Sequence, residues 1–146
     1  MKIGFTCSCF DLFHAGHVMM LKEAKEQCDY LIVGLQSDPT IDRTEKNKPI
    51  QTLFERYVQL EACKYVDEII PYATEKELRD ILTSYPIDVR IIGEEYRDKQ
   101  FTGYDLPMEV YFNSRQHSFS TTELRHRVIT TPGKLRIPNQ LTELKE

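Results

Sequence analysis

Residues 30–35 read YLIVGL, an unbroken apolar run apart from one glycine. A strand with one wet face alternates apolar and polar side chains. A run of this kind fits a parallel strand covered on both faces. Such a strand needs helices above and below it, so its flanks should be helical. Upstream, Leu21, Ala24 and Cys28 recur at helical spacing from His17 onward. Downstream, Leu53, Tyr57 and Leu60 share a face behind Thr52, and Glu55 completes a capping box with it.

The alternation continues in both directions. KIGFTC (2–7) reads as a first strand, VDEIIPY (66–72) as a third, DVRIIG (88–93) as a fourth and MEVYFN (108–113) as a fifth. Thr74 with Glu77 opens a helix that turns Leu78, Ile81, Leu82 and Tyr85 inward. Ser120 with Glu123 opens another, running through about Ile129. The fold class this predicts is α/β, a Rossmann-like doubly wound parallel sheet of about five strands. Residues 1–131 form the single domain and 132–146 a weakly patterned C-terminal tail.

The chain has 146 residues, the size of one domain with its own core. Its net charge of −4 argues against a duplex DNA binder, which needs a basic face, so no nucleic-acid partner is expected. No apolar run reaches the length of a membrane span, and MKIGFTCSCFDLF lacks a cleavage pattern for export. The expected location is cytoplasmic, with Cys7, Cys9, Cys28 and Cys63 reduced.

In doubly wound sheets ligands sit beyond the carboxyl ends of the strands. That rule singles out 8–17, 37–50, 93–105 and 114–122. The first of these lies within CSCFDLFHAGH (7–17), two cysteines and two histidines in eleven residues. His14 and His17 fall where the first helix begins, with Gly16 between them allowing close approach. A helix start offers free N–H groups and a partial positive charge, and two imidazoles add donors for the same anion. Two other readings stay open at this point. Cys7, Cys9, His14 and His17 have ligand types that suit zinc, though their spacing matches no common structural site. The cysteines can also be plain core residues and the histidines incidental.

CFDLFHAGH resembles the HxGH signature of the nucleotidyltransferase superfamily, in the branch written roughly G-x-F-D-x-x-H-x-G-H. KNKP (46–49) resembles that family's lysine-bearing loop, and ERYVQLEACKYVDEIIP (55–71) its second helix and third strand. RQHSFSTTELR (115–125) resembles its R-x-x-x-I-S-T-T block. The likeness covers residues 1 to about 130 and is nearest to the cytidylyltransferase family, whose compact bacterial members act on glycerol 3-phosphate. Ser8 departs from the pattern, standing where the family has glycine.

The resemblance implies a cytidylyltransferase. It would join CTP to a phosphorylated small molecule, glycerol 3-phosphate or a related polyol or aminoalcohol phosphate, giving a CDP-linked product and pyrophosphate for cell-envelope biosynthesis. CFD, HAGHV and the GYD of the 93–106 loop lean instead toward the adenylyltransferases of heptose nucleotide synthesis, whereas Arg115 matches the cytidylyl branch. A non-catalytic nucleotide-binding module is the further alternative. By resemblance, His14, His17, Lys46 and Arg115 are catalytic. Cys9, Phe10, Asp11, Lys48, Ser120, Thr121 and Thr122 contact the nucleotide, together with the two histidines and Arg115. Arg56 and Lys64 match basic positions of the family's second helix and are expected, with Lys46, at the acceptor. Glu94 and Tyr96 are candidate acceptor contacts. Mg²⁺ on the triphosphate is the expected cofactor, with no metal ligand assigned among the protein side chains, and a homodimer the expected assembly. Arg125, His126 and Arg127 read as a solvated helix face, and His117 as a loop residue outside the pattern.

Overall fold

The computed structural model describes residues 1–114 and 117–133. Its elements are β1 (Ile3–Ser8), α1 (Ala15–Glu26), β2 (Tyr30–Gln36), α2 (Leu53–Glu61), β3 (Glu68–Tyr72), α3 (Glu75–Ser84), β4 (Val89–Gly93), β5 (Glu109–Asn113) and α4 (Thr121–Thr130). The strands pair in the order β3-β2-β1-β4-β5, every pair parallel. The tail expected from residue 132 lies outside the described residues from 134 onward.

The apolar run of β2 explains the layering. Leu31, Val33 and Leu35 pack with Leu21 and Ala24 of α1 and Leu60 of α2. Ile32 points to the other face, among Phe5 and the α3 residues Leu78, Ile81 and Leu82. Both faces of the strand are dry, as a doubly wound sheet requires. The chain winds outward from β1 through β2 to β3, then returns to place β4 on the other flank of β1. The carboxyl ends of β1 and β4 therefore form the switch point where such sheets bind ligands.

Local chemistry sets the helix starts. Thr52 and Glu55 form the full reciprocal capping box on α2. Thr74 accepts from the Glu77 N–H, while the Glu77 carboxylate reaches back to the Ala73 N–H. Ser120 accepts from the Glu123 N–H at 3.0 Å. The first helix begins earlier than the apolar periodicity suggests, because His14 itself is the N-cap.

Gly34 sits where three side chains close over β2. A Cβ there would lie 2.9 Å from Phe5 Cζ, 3.0 Å from Cys7 Cβ and 3.1 Å from Tyr72 Cε1. All three belong to the sheet itself and have little room to retreat. Gly34→Ala is expected to cost about 1–3 kcal/mol by overpacking, read as a lowered urea midpoint with an unchanged slope. An unchanged midpoint would show that this layer has slack.

Candidate functional site

Two adjoining cavities open at the switch point. One, about 240 Å³, is lined by His14, Gly16, His17, Ser120 and Thr121, with His117 and Phe119 across from them. It joins the start of α1 to the start of α4. The other, about 390 Å³, reaches from Ser8 and Cys9 toward α3, past Lys46, Arg43, Tyr72, Glu75, Arg90 and Tyr96. Met20, Gly93, Glu95 and Asn113 line both and mark where they meet.

The two histidines are locked by the backbone of their own helix start. His14 Nδ1 accepts from the Gly16 N–H at 3.0 Å, and His17 Nδ1 accepts from the His14 N–H at 3.1 Å. In the neutral rings the proton therefore sits on Nε2 of each. His14 Nε2 lies 3.2 Å from Thr121 Oγ1, and the two ring centroids are 3.9 Å apart. Phe13 stacks on His17 at 5.5 Å with a 9° interplanar angle. Burial and the neighbouring His14 lower the His17 pKa to about 3, against a smaller upward pull from Asp11. At neutral pH His17 is an uncharged donor.

Asp11 ties this loop to the rest of the site. Its carboxylate accepts from the Ile50 and Gln51 N–H groups at 2.9 and 3.0 Å and from Arg125 Nη2 at 3.1 Å. Its carbonyl accepts from Thr121 Oγ1 at 3.2 Å. These bonds hold its pKa below the usual carboxylate range, against an opposing push from burial. Phe10 and Leu12 on either side adopt φ of 51°, a left-handed conformation that side chains disfavour. Arg125 is thus half-buried and ion-paired, contrary to its expected place on a solvated face. No Ser, Thr, Asp or Asn marks the helix start in HAGH, and the partner of Arg125 lies 114 residues away. Periodicity carries no trace of either.

Of the remaining expected residues, Lys46, Cys9 and Tyr96 line the larger cavity, and Ser120 and Thr121 the smaller. Lys48, Thr122 and Glu94 are exposed and line neither cavity; Glu94 pairs with Arg97 at 3.9 Å. The Phe10 ring is buried in the core. Arg115 lies outside the described residues.

Two acceptor assignments are corrected. Arg56 is only 2% exposed and donates to the carbonyls of Cys9, Gln36, Ser37 and Gln51. It braces the loops and lines neither cavity. Lys64 follows α2 and precedes β3, so it lies at the amino edge of the sheet, opposite the site, with its ammonium over Tyr65. Cys7 and Cys9 face the larger cavity and His14 and His17 the smaller, so the four do not gather as metal ligands. The residues sequence reasoning passed over are Arg90 and Glu95. DVRIIG showed a charge inside a buried strand, which was the available signal for Arg90.

A family model described as cytidylyltransferase-like matches residues 5–127. The chain belongs to that family. It is 35% identical to an Arabidopsis thaliana ethanolamine-phosphate cytidylyltransferase over 75% of its length and 27% of the relative's. It is 33% identical to the bifunctional protein HldE of Campylobacter jejuni over 87% of its length and 28% of the relative's. The chain thus spans between a quarter and a third of these proteins. Among solved structures, a lipopolysaccharide core biosynthesis protein from Thermoplasma volcanium superposes with a TM-score of 0.67 at 24% identity, over 80% of this chain and 99% of that one. That likeness bears out the expected fold, a doubly wound parallel α/β sheet of five strands. Among the described residues no helix is long and apolar enough to cross a membrane.

The depressed His17 pKa has a stability consequence. The unfolded imidazole titrates near pH 6.5 and the folded one near 3, so between those values the unfolded chain binds more protons. Stability falls as pH drops below about 6.5. Between pH 7 and pH 5 this group should cost on the order of 1–2 kcal/mol. Urea denaturation of wild type and His17→Asn at both pH values checks this, and the variant should show the shallower loss.

Proposed function

We propose that this domain transfers a cytidylyl group from CTP to the phosphate of a small molecule. An acceptor phosphate oxygen attacks the α-phosphorus of CTP, the bond to the bridging β-oxygen breaks, and pyrophosphate leaves with its electrons. A phosphate monoester is largely dianionic at neutral pH and needs no general base. Catalysis then amounts to aligning two anions and stabilising charge on the departing oxygen. The observation that carries the reading is the smaller cavity, where the starts of two helices and two backbone-locked imidazoles converge beside a second cavity large enough for a small acceptor.

In this reading His17 donates from Nε2 to the triphosphate, His14 does so by turning its Nε2–H from Thr121 Oγ1 to the anion, and Ser120 adds a hydroxyl and the helix starts N–H donors. Lys46 reaches the acceptor phosphate from the rim of the larger cavity; Lys48, exposed on the same loop and lining neither cavity, is assigned to the triphosphate by resemblance alone. Arg115 is the cation expected by resemblance to favour CTP. Mg²⁺ would neutralise the β- and γ-phosphates. It takes oxygen ligands, usually one or two carboxylates together with phosphates and water. Glu95 fits that need, since it lines both cavities and has no hydrogen-bond or ion-pair partner among the described residues. A phosphorylated polyol or aminoalcohol is the acceptor, with the protein a cytoplasmic homodimer feeding cell-envelope synthesis.

The relatives named HldE favour a second reading, adenylyl transfer to a sugar phosphate. A pyrophosphate-release assay with Mg²⁺ that crosses CTP, ATP, UTP and GTP with phosphorylated polyols, sugars and aminoalcohols separates the two. CTP dependence is expected; release only with ATP would establish the second. His14→Ala and His17→Ala, checked for folding, should each lower kcat by at least about 100-fold. Near wild-type turnover would remove that histidine from the chemistry.

A further inference from the structure

We infer that Arg90 reads the end of the acceptor remote from its phosphate and selects for hydroxyl groups against an ammonium. This rests on the proposed transfer reaction. Arg90 lies within β4 and is only 4% exposed, yet it lines the larger cavity. Among the described residues no carboxylate pairs with it. Its Nη1 donates to the Thr102 carbonyl, the guanidinium also hydrogen-bonds with the Cys7 side chain, and it sits 5.0 Å from the Phe101 ring centroid. A guanidinium carries five N–H donors, so donors remain for a ligand in the cavity. A buried cation with neither counter-ion nor full hydrogen bonding is costly to keep unless something else calls for it.

The surroundings say what that something is. The inner wall beside Arg90 consists of Cys7, Tyr72, Leu78 and Thr102. Glu75, the nearby carboxylate, is occupied by Arg43 at 3.3 Å and by the Thr102 hydroxyl at 2.8 Å. Glu95, the other carboxylate, stands where the two cavities meet, so the charge left uncompensated on the inner wall beside Arg90 is positive. The attacking phosphate must stay where the two cavities meet, next to the histidines. The far end of the acceptor then lands against Arg90, Thr102 and Tyr72. Hydroxyl oxygens accept from a guanidinium; an ammonium has nothing to accept with and is repelled. The acceptor is thus a phosphorylated polyol or sugar rather than an aminoalcohol phosphate.

The test compares glycerol 3-phosphate, a hexose 1-phosphate and ethanolamine phosphate as acceptors, with CTP and with ATP, for wild type, Arg90→Met and Arg90→Lys. Wild type is expected to favour a hydroxylated acceptor over ethanolamine phosphate. Arg90→Met should lower kcat/KM for that acceptor at least about tenfold, through its KM, with the KM for the nucleotide unchanged. Arg90→Lys, which keeps the charge but loses the planar fork, should recover part of this. Preference of the wild type for ethanolamine phosphate overturns the inference. So does an equal loss for every acceptor, or a variant that differs only in melting temperature. If Arg90→Met does not fold, wild-type preference and Arg90→Lys decide. If the nucleotide binds but no acceptor reacts, the transfer reading fails on its own. Calorimetric binding of the same acceptors to wild type then judges Arg90: tighter binding of a hydroxylated acceptor upholds it, and equal or absent binding overturns it.

Discussion

One carboxylate organises the carboxyl edge of this sheet. Asp11 accepts from the turn that closes the lysine loop, from the last helix through Arg125, and holds Thr121 by its carbonyl. Two segments distant in sequence, the 50–51 turn and α4, meet on a single residue. The two left-handed residues beside it, Phe10 and Leu12, are the conformational cost of turning that carboxylate inward. Removing one partner would leave buried N–H groups unsatisfied, a penalty larger than the bond's own net worth. The histidine loop is rigid because the atoms around Asp11 have no equally good alternative.

The electrostatics of the two cavities differ in kind. In the smaller one His17 is neutral, stacked on Phe13 and fixed in a single tautomer. It acts as an oriented dipole, and the helix starts add positive potential beside it. The larger one is lined by full charges of both signs, with Lys46 exposed at the rim, Arg90 embedded in the wall and Glu75 and Glu95 beside them.

Much of the fold was legible because buried parallel strands write themselves as apolar runs. YLIVGL, DVRIIG and the capping pairs Thr52–Glu55 and Thr74–Glu77 led directly to their elements. His14 and His17 were legible as candidates since residues at a strand's carboxyl end and a helix's start have few places to go. The failures have distinct causes. Lys64 was misplaced by following resemblance over geometry, because every helix-to-strand connection in a parallel sheet lies on the edge away from the ligand. Arg56 shares a helical stripe with Leu60, a sign of burial that its charge obscured. Arg125 depends on its contact with a remote loop, and Glu95 on where its loop falls against the two cavities, neither of which periodicity encodes. Arg90 was visible as a charge in a strand but was absorbed into the apolar pattern around it.

Arg56 gathers four main-chain oxygens around one planar cation, one from the loop after β1 and three from the end of β2 and the loop that follows it. Elsewhere in proteins such a cage of carbonyls surrounds a calcium ion. Here the ion is replaced by a group bonded to the chain through its own side chain. It cannot be chelated, exchanged for a competing metal or diluted away. The loop after β1 and the loop after β2 are therefore tied together at this point by a covalently tethered cation, whatever the ionic composition of the solvent.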